Sequence, residues 1–120
     1  MSNLFVLGDF KMHSGGIGHW KIECDSLTDD DLQCLAFMLK ERLPQFGFVF
    51  GVPRGGLRLA KALEQHKSPD IRRTLIVDDV LTTGKSMEEM RARIGDGLVF
   101  GAVLFARGEC PDWVTPLFRM

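Results

Sequence analysis

Apolar positions along the chain fall into helical and strand-like patterns. Leu32, Leu35, Ala36, Leu39 and Leu43 recur at helical spacing and predict one buried stripe. Thr28 ahead of Asp29, Asp30 and Asp31 opens that helix, since a hydroxyl N-cap and early carboxylates suit the positive end of a helix dipole. Pro44 stops it. Residues 46–52, 75–77 and 98–105 are instead near-continuous apolar runs of strand length. Between them, residues 57–66 predict a second helix with Leu59, Ala60 and Leu63 inward. A third helix begins near Ser86, with Met87, Met90 and Ile94 on one face.

The resulting core order is strand–helix–strand–helix–strand. All-apolar strands are buried on both faces, as in a parallel sheet covered by helices on each side. The expected fold is therefore α/β, a small doubly wound parallel sheet. Ahead of it, residues 4–7 are a short apolar run, and residues 8–24 hold Gly8, Gly15, Gly16 and Gly18 among apolar and aromatic positions. That pattern predicts a hairpin or irregular loop flanked by short strands. After residue 105 comes a tail with Trp113, Pro116 and Phe118, for which no element is predicted.

Composition narrows the functional classes. A chain of 120 residues supports one domain. Its formal net charge of −1 argues against a general nucleic-acid binder, although Arg54, Arg58, Lys61, Arg72 and Arg73 are numerous enough for a local patch. Cys24, Cys34 and Cys110 are scattered and odd in number, which suggests neither a zinc site nor a disulfide framework, but reduced thiols. No leader pattern opens the chain, and no run approaches the roughly 20 apolar residues of a membrane span. The expectation is a cytoplasmic protein with no membrane partner.

In open α/β sheets ligands sit beyond the carboxyl ends of the strands. Three polar or glycine-rich segments lie there: residues 52–56, 78–86 and 106–109. The middle one carries the chemistry. Asp78 and Asp79 follow a buried strand, and at its end both carboxylates can accept hydrogen bonds from vicinal hydroxyls or attract a hard cation. Thr82, Thr83, Gly84, Lys85 and Ser86 then feed a helix N-terminus, where backbone N–H groups and the dipole suit a phosphate. Gly-Lys-Ser also ends a Walker A loop, but that motif needs glycine where this chain has Asp79. Carboxylates for ribose hydroxyls beside a phosphate cradle describe a ribose 5-phosphate group.

The segment from Leu75 through Asp78, Asp79, Val80, Leu81, Thr82, Thr83, Gly84 and Lys85 to Ser86 resembles the phosphoribosyl-pyrophosphate (PRPP) motif of type I phosphoribosyltransferases. Val52, Pro53, Arg54, Gly55 and Gly56 resemble that family's pyrophosphate loop, whose backbone binds pyrophosphate through an unusual peptide geometry. The N-terminal stretch, with Asp9, Phe10, His13, Ser14, Gly15 and Trp20, resembles the hood of orotate phosphoribosyltransferases; Arg107 matches an arginine that contacts the pyrimidine there. The resemblance implies a hood over residues 1–27, a core over 28–120, Mg²⁺ as cofactor, PRPP and a nitrogenous base as substrates, and a homodimer. It implies catalytic and metal-holding roles for Asp78 and Asp79, directly or through PRPP hydroxyls and water. Asp78 to Ser86 would bind ribose 5-phosphate, residues 52–56 pyrophosphate, and Arg107, His13 and Trp20 the base.

The chain also departs from that pattern. His13 stands where the hood has a base-contacting lysine, and Ala106 where an aspartate precedes the arginine. Residues 57–73 leave room for one helix and a short connection, whereas the family inserts a further strand and a long flexible loop that closes over the site with basic residues. Lys67, Arg72 and Arg73, or a partner subunit, are the candidates to replace it. Three functions therefore compete: a compact phosphoribosyltransferase favouring an orotate-like pyrimidine, a non-catalytic module that binds PRPP or a nucleotide, and a regulator that binds nucleic acid on the same fold.

Overall fold

A computed structural model describes residues 4–11, 17–95 and 97–120. Strands β1 (Phe5–Lys11) and β2 (Ile17–Ile22) pair antiparallel, with an irregularity between Leu7 and Phe10. The predicted hairpin is therefore present, and its first strand runs further than the apolar run alone suggested. A 3₁₀ turn (Cys24–Ser26) leads on to α1 (Asp29–Lys40). Thr28 caps α1 through a full capping box: its hydroxyl accepts from the Asp31 amide at 3.0 Å and its own amide donates to Asp31 at 2.9 Å. Leu32, Ala36 and Leu39 are buried as expected, while Leu35 and Leu43 pack at the margin.

The remaining elements are β3 (Phe48–Gly51), α2 (Leu57–Leu63), a 3₁₀ turn (Glu64–His66), β4 (Thr74–Leu81), α3 (Lys85–Ile94), β5 (Val99–Ala106) and β6 (Val114–Arg119). The four strands β3 to β6 form one parallel sheet in chain order. Strand alternation divides the core in two. Leu75 and Val77 of β4, with Ala102 and Leu104 of β5, face α1 and α2. Ile76 and Val103 face Met87 of α3. Helices thus cover both faces, as the apolar strands predicted.

Two boundaries differ from the expectation in ways that matter. β4 continues past its apolar residues, so Asp78 and Asp79 lie within the strand's carboxyl end instead of after it. The pairing Asp78↔Val103 and Val80↔Phe105 with β5 sustains the strand where hydrophobicity stops. The tail contains β6, parallel to β5, reached by residues 107–113 without a helix. Trp113 anchors that return: its indole N–H donates to Glu88 of α3 at 2.7 Å, and the Arg91 guanidinium lies 4.7 Å from its ring.

The two sheet edges are treated differently. On β6, Pro116 removes a donor and Arg42 donates to the Leu117 carbonyl at 3.0 Å, which blunts the edge. On β3, Phe48 and Phe50 stay about half exposed (52% and 48%), and α3 does not cover them. Among the described residues no helix is long and apolar enough to cross a membrane.

Candidate active site

The carboxyl ends of β3, β4 and β5 meet at one end of the sheet. Gly51 pairs with Val77, and Asp78 and Val80 pair with β5. Residues 52–56 follow β3, residues 82–84 follow β4, and residue 107 follows β5. The Arg107 amide donates to the Leu81 carbonyl at 2.8 Å, which holds the start of the last loop against the end of β4. Three segments far apart in sequence are therefore brought to one place.

Asp78 and Asp79 are half-buried there. The Asp79 amide donates to Asp78 Oδ1 at 2.8 Å, and the Val80 amide donates to Asp79 Oδ1 at 2.7 Å. Each carboxylate is thus fixed by the backbone that follows it. Asp79 lines the α1/α2 side with Leu32 and Leu59, and its carboxyl lies close enough to that of Asp78 for the two to interact. Burial pushes the Asp78 carboxyl up to about 8, and the adjoining Asp79 carboxyl adds to this through a hydrogen bond and its charge; the Asp79 amide acts in the other direction. Two carboxyl groups this close are poised for a hydroxyl-bearing ligand.

Residues 52–56 sit directly beside Asp79. A Cβ on Gly55 would stand 2.4 Å from Asp79 Oδ2, so only glycine lets the loop approach the carboxylate this closely. Gly56 is packed as tightly, against the Val77 and Val52 backbone. The Pro53–Arg54 peptide is cis, an unusual peptide geometry in the loop where the resemblance implied one. Val52 is buried, so it offers backbone only, whereas Pro53, Arg54 and Gly55 are exposed.

After β4, Gly84 caps α3 with a φ of 81°, a left-handed conformation that favours glycine. The Lys85 amide donates to the Thr83 hydroxyl at 3.3 Å. The N–H groups of the first turn of α3 therefore open towards the end of β4, where no residue of the helix accepts from them. Thr83, Lys85 and Ser86 are exposed, and Thr82 is half-buried. Leu81 is buried at 2% exposure, so its side chain belongs to the core and only its backbone can face a ligand; Val80 likewise packs on the first core.

A cleft of about 330 Å³ opens on the α1/α2 side, lined by Cys24, Asp25, Leu32, Arg54, Gly55, Arg58, Leu59, Asp79 and Leu104. The sequence pattern gave no reason to place Cys24 and Asp25 here. They follow the hairpin, and only the tertiary fold carries that turn to the end of β4. Burial pushes the Cys24 thiol up to about 12, with the Asp79 and Asp25 carboxylates adding to the effect.

The basic residues do not form one patch. Arg54 and Arg58 lie at the carboxyl end of the sheet, and Arg58 is committed to the Leu27 carbonyl at 2.8 Å and Asp29 at 3.2 Å. Arg72 and Arg73 precede β4 at the opposite end, and Arg73 donates to the Gln45 carbonyl at 2.8 Å. Five residues of strand, about 16 Å, separate Thr74 from Asp79. Within one subunit Arg72 and Arg73 therefore do not stand in for the missing lid, and Lys67 is paired with Glu64. Of the base-contacting candidates, Arg107 is at the site, Trp20 lies in β2 opposite Leu7, and His13 falls outside the described residues.

This is the fold of the type I phosphoribosyltransferases. Among solved structures, the chain superposes on the orotate phosphoribosyltransferase of Aeropyrum pernix with a TM-score of 0.79, at 24% identity over 97% of this chain and 88% of that one. It matches the orotate phosphoribosyltransferase of Mycobacterium tuberculosis at a TM-score of 0.70, 15% identity, 97% of this chain and 89% of that one. It matches the xanthine-guanine-hypoxanthine phosphoribosyltransferase of Helicobacter pylori at 0.56, 15% identity, 75% and 89%. No protein-family model and no curated protein sequence matches the chain.

Proposed function

We propose that the protein is a compact phosphoribosyltransferase, which moves phosphoribose from Mg²⁺-PRPP to a nitrogenous base and releases pyrophosphate. The observation that carries this reading is the packing of Gly55 onto the Asp79 carboxylate, with Gly84 and the α3 N-terminus on the other side of the same strand end. A ribose held by Asp78 and Asp79 would have its 5-phosphate on the α3 side and its pyrophosphate on the side of residues 52–56. The neighbouring folds include enzymes named for orotate and for purine bases. Arg107 and the orotate-enzyme-like N-terminal stretch favour an orotate-like pyrimidine.

In the reaction the C1–O bond to pyrophosphate breaks, the electron pair leaves with pyrophosphate, and the base nitrogen bonds to C1. Asp79 faces the positive charge that develops on the ribose ring. Arg54 and the backbone of residues 52–56 receive the pyrophosphate charge. The donor set suits a hard cation in one specific way. Asp78 and Asp79 offer oxygens only, and among the described residues no third acidic, histidine or cysteine ligand joins them. Mg²⁺ would therefore be held jointly by these carboxylates, substrate oxygens and water. When bound, it would neutralise charge on the leaving group. The protein acts as a homodimer and in the cytoplasm in this reading.

A second reading, a module that binds PRPP or a nucleotide without turnover, is favoured by the short connection over residues 64–73, which supplies no lid over the site. Binding nucleic acid is disfavoured by the dispersal of the basic residues. The deciding experiment is a pyrophosphate-release assay with Mg²⁺-PRPP and a panel of pyrimidine and purine bases. Release with a pyrimidine carboxylate supports the transferase; PRPP binding without release from any base supports the binding module.

A further inference from the structure

The parallel sheet ends on one side in β3, and that edge is open. The Phe48 and Val52 amides donate inward to the Arg73 and Val77 carbonyls on the β4 side, at 3.3 Å and 2.8 Å. Alternation therefore turns the N–H and C=O groups of Val49 and Gly51 outward, where no described residue pairs with them. Between Arg42 and Arg54 the chain has no charged residue, so the edge lacks the usual devices against association. Phe48 and Phe50 stand half exposed on the α3 face, in line with Ile76 of β4. On the other face α2 rests on β3 and β4, while α1 lies towards β5. Arg58 and Gln65 of that segment turn to α1, through Asp29 and Gln33. Leu57, itself 50% exposed, Lys61 and Glu64 therefore fall on the side that overhangs β3. The short connection over residues 64–73 brings no strand to this edge.

We propose that the β3 edge is the interface of a two-fold homodimer, in which β3 pairs antiparallel with β3 of a second copy. The two sheets then become one eight-stranded sheet, four strands from each copy. One register uses all the outward groups: Val49 stands opposite the partner's Gly51 and Gly51 opposite the partner's Val49, each pair exchanging both hydrogen bonds. Phe50 then meets the partner's Phe50 on the axis as a non-hydrogen-bonded pair, where side chains approach most closely, and Phe48 faces the partner's Val52. The two α2 helices, each above its own β3, come to an ordinary packing distance of about 8–10 Å. There Leu57 adds apolar surface, and Lys61 and Glu64 give each copy a charge of either sign to offer the other. A second copy is favoured over another partner because this pattern is its own complement. The β6 edge is blunted by Pro116 and Arg42, so pairing closes at two copies. The proposed function calls for a homodimer but gives it no surface; the inference rests on the geometry of the edge and stands without that reading.

Sedimentation equilibrium of the ligand-free chain tests the surface. The wild type should be dimeric at about 100 μM, since interfaces of ordinary size reach at least micromolar affinity. A monomer at that concentration overturns the inference. Phe50→Lys sets two like charges on the axis and should give a monomer with an unchanged far-UV circular dichroism spectrum; a folded variant that stays dimeric overturns it. Cross-linking reads the register, in a Cys34→Ser background that removes the exposed thiol. Under mild oxidation Phe50→Cys should join two chains through position 50, because identical residues face each other across the axis at a span a disulfide bridges. Phe48→Cys should not, because its two copies stand four residues, about 13 Å, apart along the strands. Linking of Phe48→Cys as readily as Phe50→Cys, or of neither, overturns the inference. Should Phe50→Lys lose its fold, the cross-linking still decides. No ligand enters any arm, so failure here leaves the transferase reading where it stands.

Discussion

Asp78 and Asp79 occupy consecutive positions at the carboxyl end of β4, and each does a different job. Asp79 is walled by Gly55 and the Cys24 turn, while Asp78 is held protonated by burial. That protonation has a consequence for stability. The folded-state pKa of Asp78 is raised from 3.8 to about 8, so between those values the folded chain binds more protons than the unfolded one. Its contribution is fully present below about pH 4, is lost as pH rises through 8, and is flat above. Urea midpoints should therefore fall from pH 5 to pH 8, and Asp78→Asn should flatten that slope. Gly55→Ala offers a second test: a methyl 2.4 Å from Asp79 Oδ2 must displace the loop or the carboxylate. It should cost about 1–3 kcal/mol in urea unfolding, the usual range for overpacking, and should weaken PRPP binding as well. Asp78, Asp79 and the glycine loop were legible as residues because their types and spacing are unusual. Cys24 was not, because nothing in a lone cysteine distant from Asp79 in sequence places it in the same cleft.

At the level of elements, local sequence rules account for α1 and α3 well. Thr28→Ala removes the hydroxyl half of the α1 capping box and should cost about 1 kcal/mol in chemical unfolding. Gly84→Ala places a side chain at a φ of 81° and should cost about 1–2 kcal/mol, with Gly84→Asn milder because asparagine tolerates that conformation. The strands were read less completely. The apolar run of β4 ends at Val77, but pairing with β5 carries the strand to Leu81 and so sets where the carboxylates point. β6 was invisible because an edge strand broken by Pro116 and ending in Arg119 has no continuous apolar run. Its partner contacts, including Val114 and Leu117 in the two cores, exist only once β5 is in place.

For the whole molecule, the short connection between α2 and β4 changes both topology and chemistry. β3, β4 and β5 follow one another in one direction across the sheet, yet α2 and α3 cover opposite faces. The two crossovers therefore have opposite hands, and one runs against the strong right-handed preference of such units. The resemblance to phosphoribosyltransferases implies a further strand and a lid between α2 and β4; without them the chain crosses directly to β4, β3 is left as an edge, and the site stays open to water. Turnover should then be accompanied by measurable hydrolysis of PRPP to ribose 5-phosphate, read by chromatography of the reaction with and without base. In the proposed function, the end of β4 binds a phosphoribosyl group. Isothermal titration of Mg²⁺-PRPP into the wild type and into the Asp78→Asn, Asp79→Asn double variant tests it directly. Saturable binding in the wild type that weakens at least tenfold in the variant is the expected result; no binding by the wild type, or equal binding by both, would contradict it.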